Sequence, residues 1–396
     1  MSHQLEPFPA RIVRAEWAEH VVSPMHDSLT AEERAAMLAE RPYSWLHVSR
    51  TPDDLPEHGD EEALIEVETA ALGRLLDAGV FEDFPEPDLY VYRLRTADHV
   101  QTGIVGEVPH EAFVEGRVLG HEGVQRDRVD ALELHLGRVG AASTLVALMF
   151  RAADDVRKLV DAATEEEPLR SFGADGLDQT VWRFADPDAI ERIRERIDRQ
   201  VLYITDGHHR ATASVELWEQ QGRPAGGVPA ALFPDDELRM LPFHRRVVGP
   251  LSMSPRHLLS SLGERVRVEP GEPAIGQRGA VGLYTDGAWH QLAFHPDGSE
   301  GGVEALDVTR LHREILEPVF GIPPTGDPSL EFVSAAVPRE ELLRRVDADR
   351  GAAFTLVAPT FEQFVEVADR NEQMPPKATF FDPKPRAGLF LRMRED

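Results

Sequence analysis

Val201-Leu-Tyr-Ile-Thr-Asp206-Gly-His-His-Arg210-Ala-Thr-Ala-Ser-Val-Glu-Leu-Trp-Glu219 is the stretch that decides how this chain is read. A β-branched and aromatic run stops at Asp206-Gly207, and a helix-like pattern starts within two residues. This predicts a strand that feeds a helix through a glycine turn. Such a turn aims backbone N–H groups and the positive helix end at one spot, which suits an anion such as phosphate. Arg210 adds a forked, charge-assisted grip, while Asp206 and His209 bring an acceptor and a titratable imidazole. The plainer alternative makes Asp206 a helix cap in an ordinary Asp-Gly turn, with two solvated histidines behind it.

Working outward, 396 residues with 42% apolar content are enough for two or three packed units. No apolar run reaches the length of a membrane span. Met1-Ser-His-Gln-Leu-Glu-Pro7 has no basic stretch leading into an apolar one, so no secretory signal is expected and the expected location is cytoplasmic. The absence of cysteine excludes disulfides, thiolate metal sites and cysteine nucleophiles. A net charge of −28 argues against nucleic acid as a partner, since phosphate backbones need clustered Lys and Arg.

Within that charge, the chain has three lysines, Lys158, Lys377 and Lys384, against 39 arginines. Two of them lie in Met374-Pro-Pro-Lys377-Ala-Thr-Phe-Phe-Asp-Pro-Lys384-Pro385. Arginine and lysine differ where a compact point charge is wanted, so lysines retained there suggest a requirement for ammonium.

The remaining periodicities predict a mixed chain. Thr30-x-x-Glu33 is a capping-box pattern opening a helix over 30–40, and a second helix is expected over 61–78. Asp88–Leu94 and Thr102–Val108 alternate like paired strands, and Ser143–Phe150 reads as a buried strand. Val129, Leu132 and Leu136 mark an amphipathic helix after a polar turn. Asp186–Gln200 reads as a helix with Asp186 as cap, Pro187 at its first position and a stripe of Ile190, Ile193 and Ile197. Short strands are expected over 230–233 and 238–241. Thr285-Asp-Gly-Ala288 joins a hairpin, 308–319 is helical, 332–337 and 354–358 are strands, and 361–371 is helical. Irregular alternation of strands and helices without repeats implies an α+β, or mixed α/β, fold.

Other residues bear on chemistry. His121-Glu122 stands where a strand region yields to a helix, ahead of Arg126 and Arg128. A carboxylate there can take a proton from a substrate hydroxyl, and the arginines can meet phosphate oxygens; a glutamate at a helix start is also a plain dipole partner. With the Asp206 turn, these residues supply a base, an anion cradle, an imidazole and guanidinium charge, the parts phosphoryl transfer uses. There is no Walker A loop and no kinase-type glycine loop. His121, Glu122, Asp206, His208, His209 and His244 offer metal-ligating types, but adjacent histidines lack the spacing that puts two ligands on one helix face. No metal residue is assigned, and magnesium arriving with a nucleotide is preferred. Ser23-Pro-Met-His-Asp27 either lines the same cleft or only turns the chain. Asp307 is expected to cap the helix that follows it.

Taken together, these motifs resemble those of the prokaryotic family labelled domain-of-unknown-function 1015. Ser23-Pro-Met-His-Asp27 stands where that family has Pro-Pro-Tyr-Asp, and His121-Glu122 matches its His-Glu turn. Asp206-Gly-His-His-Arg210 matches its hallmark, and Leu241-Pro-Phe-His244-Arg-Arg-Val-Val248 looks like its Leu-Pro-Thr-His-Arg segment. The Met374–Lys384 stretch is similar to its closing motif, with Asp382 in place of an aromatic and Met25-His26 in place of Pro-Tyr. The central portion also resembles the ParB/sulfiredoxin-type nucleotide-binding fold, in particular free serine kinases, which carry a His-Glu segment and a later Asp-Gly-His-His-Arg.

The resemblance implies a ParB/sulfiredoxin-like core over 86–250, with an N-terminal α+β segment over 1–85 and a C-terminal α+β region over 251–396 that carries Lys377 and Lys384. It implies Glu122 as base, with Asp206 and His209 as catalytic or magnesium-positioning groups. Gly207, His208 and Arg210 become phosphate contacts, joined by Arg126, Arg128 and Lys377. The implied activity is a small-molecule kinase moving phosphate from ATP or ADP, with Mg2+, to the hydroxyl of free serine or a related amino acid. The alternatives are a ParB-like nucleotide-binding regulator or nucleotide hydrolase, and an enzyme acting on a phosphorylated metabolite without nucleotide.

Overall fold

The computed structural model describes residues 3–51, 54, 61–272, 277–296, 298, 301–324 and 326–393. The reading of the N-terminus falls partly on residues 1 and 2, which lie outside the described residues. The fold is α+β, as the irregular alternation predicted. The chain divides into two compact units: residues 1–120, 124–238 and 383–396 form the first, and 121–123 with 239–382 the second. Membership follows sheet pairing more than succession along the chain.

The first unit is built on a large mixed sheet. Its strands are β1 (Phe8–Val13), β2 (Phe81–Arg95), β3 (Val100–Pro109), β4 (Val118–Leu119), β5 (Ala141–Ala142), β6 (Val146–Phe150), β7 (Arg170–Ala174), β8 (Leu177–Phe184), β9 (Leu202–Asp206) and β10 (Gly227–Pro234). The main path runs β4-β9-β6-β10-β3-β2-β1, then the closing strand Phe390–Met393 and β5; β8 pairs with β2 and β7 at the side. β9 runs parallel to β4 and antiparallel to β6, with an irregularity between Ala147 and Leu148 where Ala147 faces Asp206. A bulge beside the last residue of a strand re-aims that residue's side chain.

Local sequence explains the supporting helices. Thr30 and Glu33 form the capping box of Ala31–Glu40. Asp186 caps Pro187–Ile197 by accepting the Asp188 N–H, and Ile190, Ile193 and Ile197 are buried at the spacing of one helix face. This stripe joins Leu148, Leu202 and Ile204 in one apolar core, which fixes one face of β9. The strands Phe8–Val13, Arg170–Ala174, Leu177–Phe184 and Phe390–Met393 were not expected from the sequence. Their partners lie far along the chain, as in Arg11 facing both Asp83 and Leu391.

The second unit carries β11 (Met240–Leu241), β12 (Phe243–Val247), β13 (Arg267–Pro270), β14 (Ala280–Thr285), β15 (Ala288–Ala293), β16 (Leu330–Ser334), β17 (Ala352–Thr355) and β18 (Phe380–Phe381). Six form a sheet in the order β13-β15-β14-β17-β12-β16, and β11 pairs with β18. The expected hairpin is present, with Thr285 opposite Ala288. The strand expected over 238–241 shortens to β11, and β12 instead takes up the His244-Arg-Arg246 segment. The helix expected over 308–319 is Asp307–Leu311 followed by a π turn at His312–Leu316 and a last turn at Glu317–Phe320. Asp307 does not cap it: both carboxylate oxygens accept the Gly279 N–H, at 3.1 Å each.

Candidate functional site

β9 ends at Asp206, and the helix His208–Gln220 begins two residues later. Gly207 is the N-cap at φ +98°, a left-handed conformation that glycine adopts without strain. No side chain caps this helix, so the capping alternative for Asp206 fails. Its carboxylate is instead held by two cations. Arg210 donates from one terminal nitrogen to Oδ2 at 2.7 Å, and the Lys384 ammonium donates to Oδ1. The Arg210 group also donates to the Leu145 carbonyl at 3.3 Å, while its Nε is buried without a partner. A Cβ on residue 207 would lie 2.7 Å from that guanidinium, so glycine suits the left-handed conformation and any side chain there would have to displace Arg210.

The Asp206 and Lys384 side chains are 12% and 20% exposed. Burial pushes the Asp206 carboxyl up, but the Lys384 ammonium and then the Arg210 guanidinium outweigh it and hold the group well below the usual carboxylate range. Burial alone would lower Lys384; Asp206, then Asp27, raise it above the usual lysine value. Both groups of the pair are therefore charged at neutral pH.

The early turn joins this cluster. Ser23 exchanges backbone hydrogen bonds with Ala387, each 3.0 Å, which sets the His26–Ser28 turn beside the segment that carries Lys384. Asp27 acts electrostatically on Lys384 and on His209, and Arg210 acts on His26. Of the two readings of Ser23–Asp27, the structure supports the first: the turn borders the cluster.

His209 accepts the Gln125 N–H on Nε2 at 3.0 Å, so the ring is neutral with its proton on Nδ1. Burial lowers its pKa, and Arg128 and Arg210 lower it further. His208 is buried, with its Cδ2 3.0 Å from where a Cβ on residue 120 would stand. Arg126 is exposed and pairs with Asp130 at 2.6 Å and Glu216 at 2.7 Å. Arg128 is exposed too, and its contribution here is the field it exerts on His209.

Glu122 and Lys377 belong to the second unit. There the His121 carbonyl accepts the Met374 N–H at 2.8 Å, its Nε2 meets Thr379 Oγ1 at 3.1 Å, and its ring packs edge-on against Phe364 at 4.6 Å. Gly123 lies close to Gln373, whose Oε1 would be 2.8 Å from an added Cβ. Glu122 thus sits half-buried on a turn fastened to the 373–379 segment. Lys377 has φ +54° and lies 5.5 Å from the centre of the Phe243 ring. The lysine on Asp206 is Lys384, not Lys377. The scarcity of lysine pointed to both, and only the fold separates them.

The six residues weighed as metal ligands do not assemble. Among the described residues no group of three or more His, Cys, Asp or Glu is arranged to hold a metal ion. His244, in the second unit, accepts the Leu356 N–H on Nδ1 at 3.2 Å, and burial, then Arg245 and Arg339, push it down to about 4. Among the described residues no helix is long and apolar enough to cross a membrane.

Fold and site define an α+β protein with a doubly cation-bound aspartate at a strand–glycine–helix turn. The chain belongs to the family described as a protein of unknown function, DUF1015, which matches residues 5–309. No curated protein matches the sequence. Among solved structures, a free serine kinase variant in complex with AMP is similar at 14% identity and a TM-score of 0.37, covering 72% of this chain and 91% of its own. SbnI with a C-terminal truncation, from Staphylococcus aureus, is similar at 10% identity and a TM-score of 0.39, covering 72% and 87%. A conserved hypothetical protein from Pyrococcus furiosus is similar at 14% identity and a TM-score of 0.35, covering 74% and 98%. These likenesses are too slight to carry an activity across.

Proposed function

We propose that the chain is a small-molecule kinase that transfers a phosphoryl group from ATP or ADP to the hydroxyl of free serine or a related amino acid. The observation that carries this reading is the Asp206 turn, where a guanidinium, an ammonium and a helix start on Gly207 come together. Phosphate oxygens are met by N–H groups of the first helical turn, by Arg210 and by Lys384, which neutralise charge as it moves. Both Asp206 oxygens are taken by cations, so Asp206 acts as a positioning residue that holds Arg210 and Lys384. Among the described residues no group forms a magnesium cage. Magnesium in this proposal arrives on the nucleotide phosphates.

Neutral His209 adds a donor at Nδ1. Glu122 takes the acceptor's hydroxyl proton as the oxygen bonds to phosphorus and the bond from phosphorus to the departing nucleotide breaks. The ParB/sulfiredoxin-like core over 86–250 belongs to this proposal, as do phosphate contacts from Gly207 and His208. Arg126 and Arg128 are assigned the outer charge, and Lys377 a further phosphate contact.

Phosphorus NMR of the purified protein with magnesium, ATP or ADP, and L-serine tests this. The expected result is a phosphomonoester signal that requires serine and is lost in Glu122→Gln with nucleotide binding retained. Nucleotide loss without that signal would favour the hydrolase reading, and the absence of both turnover and nucleotide binding would end the phosphotransfer proposal.

A further inference from the structure

The second unit encloses a cavity of about 140 Å³ that none of the chemistry above uses. Its walls come from the ends of β12 and β17, the start of β14, and the helices that begin at Asp307 and Phe361. The lining combines apolar side chains, including Phe243, Leu306 and Leu356, with polar groups. Three charges interrupt it: Asp307, bonded to the Gly279 N–H; Arg278, the residue before that glycine; and Arg310, which donates to Glu314 and to the His295 carbonyl.

Asp307 and Arg278 have unused hydrogen-bonding capacity. A carboxylate offers about four lone-pair sites, and Asp307 receives one backbone N–H shared between its oxygens. A guanidinium has about five N–H donors, and Arg278 spends one on Gln363 Oε1 at 2.6 Å. Burial raises the Asp307 pKa, and the Gly279 N–H, Arg278 and Arg310 do not fully offset it. A buried carboxylate left under-compensated by its protein neighbours gains from a cationic ligand.

Size narrows the class. A cavity of about 150 Å³ holds benzene, about six heavy atoms, so this one suits a molecule of that size and excludes a nucleotide. Ammonium and carboxylate must lie within one residue's reach of each other, and whatever else the ligand carries meets apolar walls. We propose that this cavity binds a small aliphatic α-amino acid as its zwitterion, with the ammonium on Asp307 and the carboxylate on Arg278. The site stands whether or not the Asp206 turn transfers phosphate.

Calorimetry on the full chain, with L-alanine, propionate, ethylamine and L-phenylalanine as probes, tests it. L-alanine should bind, and the two single-charge analogues and the oversized phenylalanine should bind at least tenfold more weakly. Asp307→Asn and Arg278→Gln should each weaken L-alanine at least tenfold, while Asp206→Asn leaves it unchanged. Should Asp307→Asn fail to fold by circular dichroism, Arg278→Gln and the cavity-filling Ala378→Leu decide in its place. No heat with L-alanine at millimolar concentration, or equal binding by ethylamine, would overturn the assignment. Loss of serine phosphorylation with L-alanine binding intact would refute only the kinase reading.

Discussion

Replacing Lys384 by methionine tests whether the Asp206 cluster is a true charge network. Lys384 is 20% and Asp206 12% exposed, so solvent screens the pair little. Removing one partner of a buried ion pair costs about 3–5 kcal/mol when it strands the other charge. Here Arg210 still holds Oδ2 at 2.7 Å, so the loss is nearer a single charged hydrogen bond, about 1.5–3 kcal/mol. Urea unfolding at pH 7 should show that loss for Lys384→Met. Asp206→Asn should cost a similar amount, and the double variant should cost less than the two together by at least about 1 kcal/mol.

The pair also fixes a pH window. The carboxyl is depressed, so its contribution is present above the ordinary aspartate range and lost as pH falls through its folded value. Lys384 is raised, so its contribution is present below the ordinary lysine value and lost as pH rises through the folded one. Lys384→Met moves the folded Asp206 value back towards the ordinary aspartate range, so the variant, less stable at pH 7, should lose less further stability on acid titration than the wild type. Additive losses within about 0.5 kcal/mol, together with an unmoved acid limb, would refute the network.

Gly207→Ala must adopt φ +98° and displace the Arg210 guanidinium. It should lose about 1–3 kcal/mol in urea unfolding and bind ADP at least tenfold more weakly, and unchanged ADP affinity would remove Arg210 from the phosphate site. His244, pushed down to about 4, is neutral when folded and charges more readily when unfolded. Its stabilisation is present above about pH 6.5 and falls by about 3 kcal/mol as pH drops towards 4. His244→Asn, which keeps an acceptor for the Leu356 N–H, should flatten that slope in urea titrations run across pH 7 to 4; parallel slopes would refute it.

How much was legible depended on how local the cause was. The strand–glycine–helix turn at 201–219, the Thr30 capping box, the Asp186 cap and the isoleucine stripe could be read directly. Each is set by interactions within a few residues. A carboxylate before a helix suits a cap locally, but Asp307 is taken by the Gly279 N–H from 28 positions away. β1 and the closing strand have no local signature, because each is fixed by pairing with a strand far along the chain.

The sequence by itself determined the charge, the lack of cysteine, the α+β alternation and a glycine turn suited to an anion, since composition and short-range periodicity suffice for these. It also marked lysine as scarce enough to matter. Only the tertiary structure decided which lysine meets Asp206 and that the Ser23–Ser28 turn borders the same cluster. It alone also set the Asp206 carboxylate against Arg210 and Lys384. Those outcomes depend on Ser23 bridging to Ala387 and on the closing strand joining β1. Sheet pairing between distant segments chooses among chemically equivalent residues, and no local pattern encodes that choice.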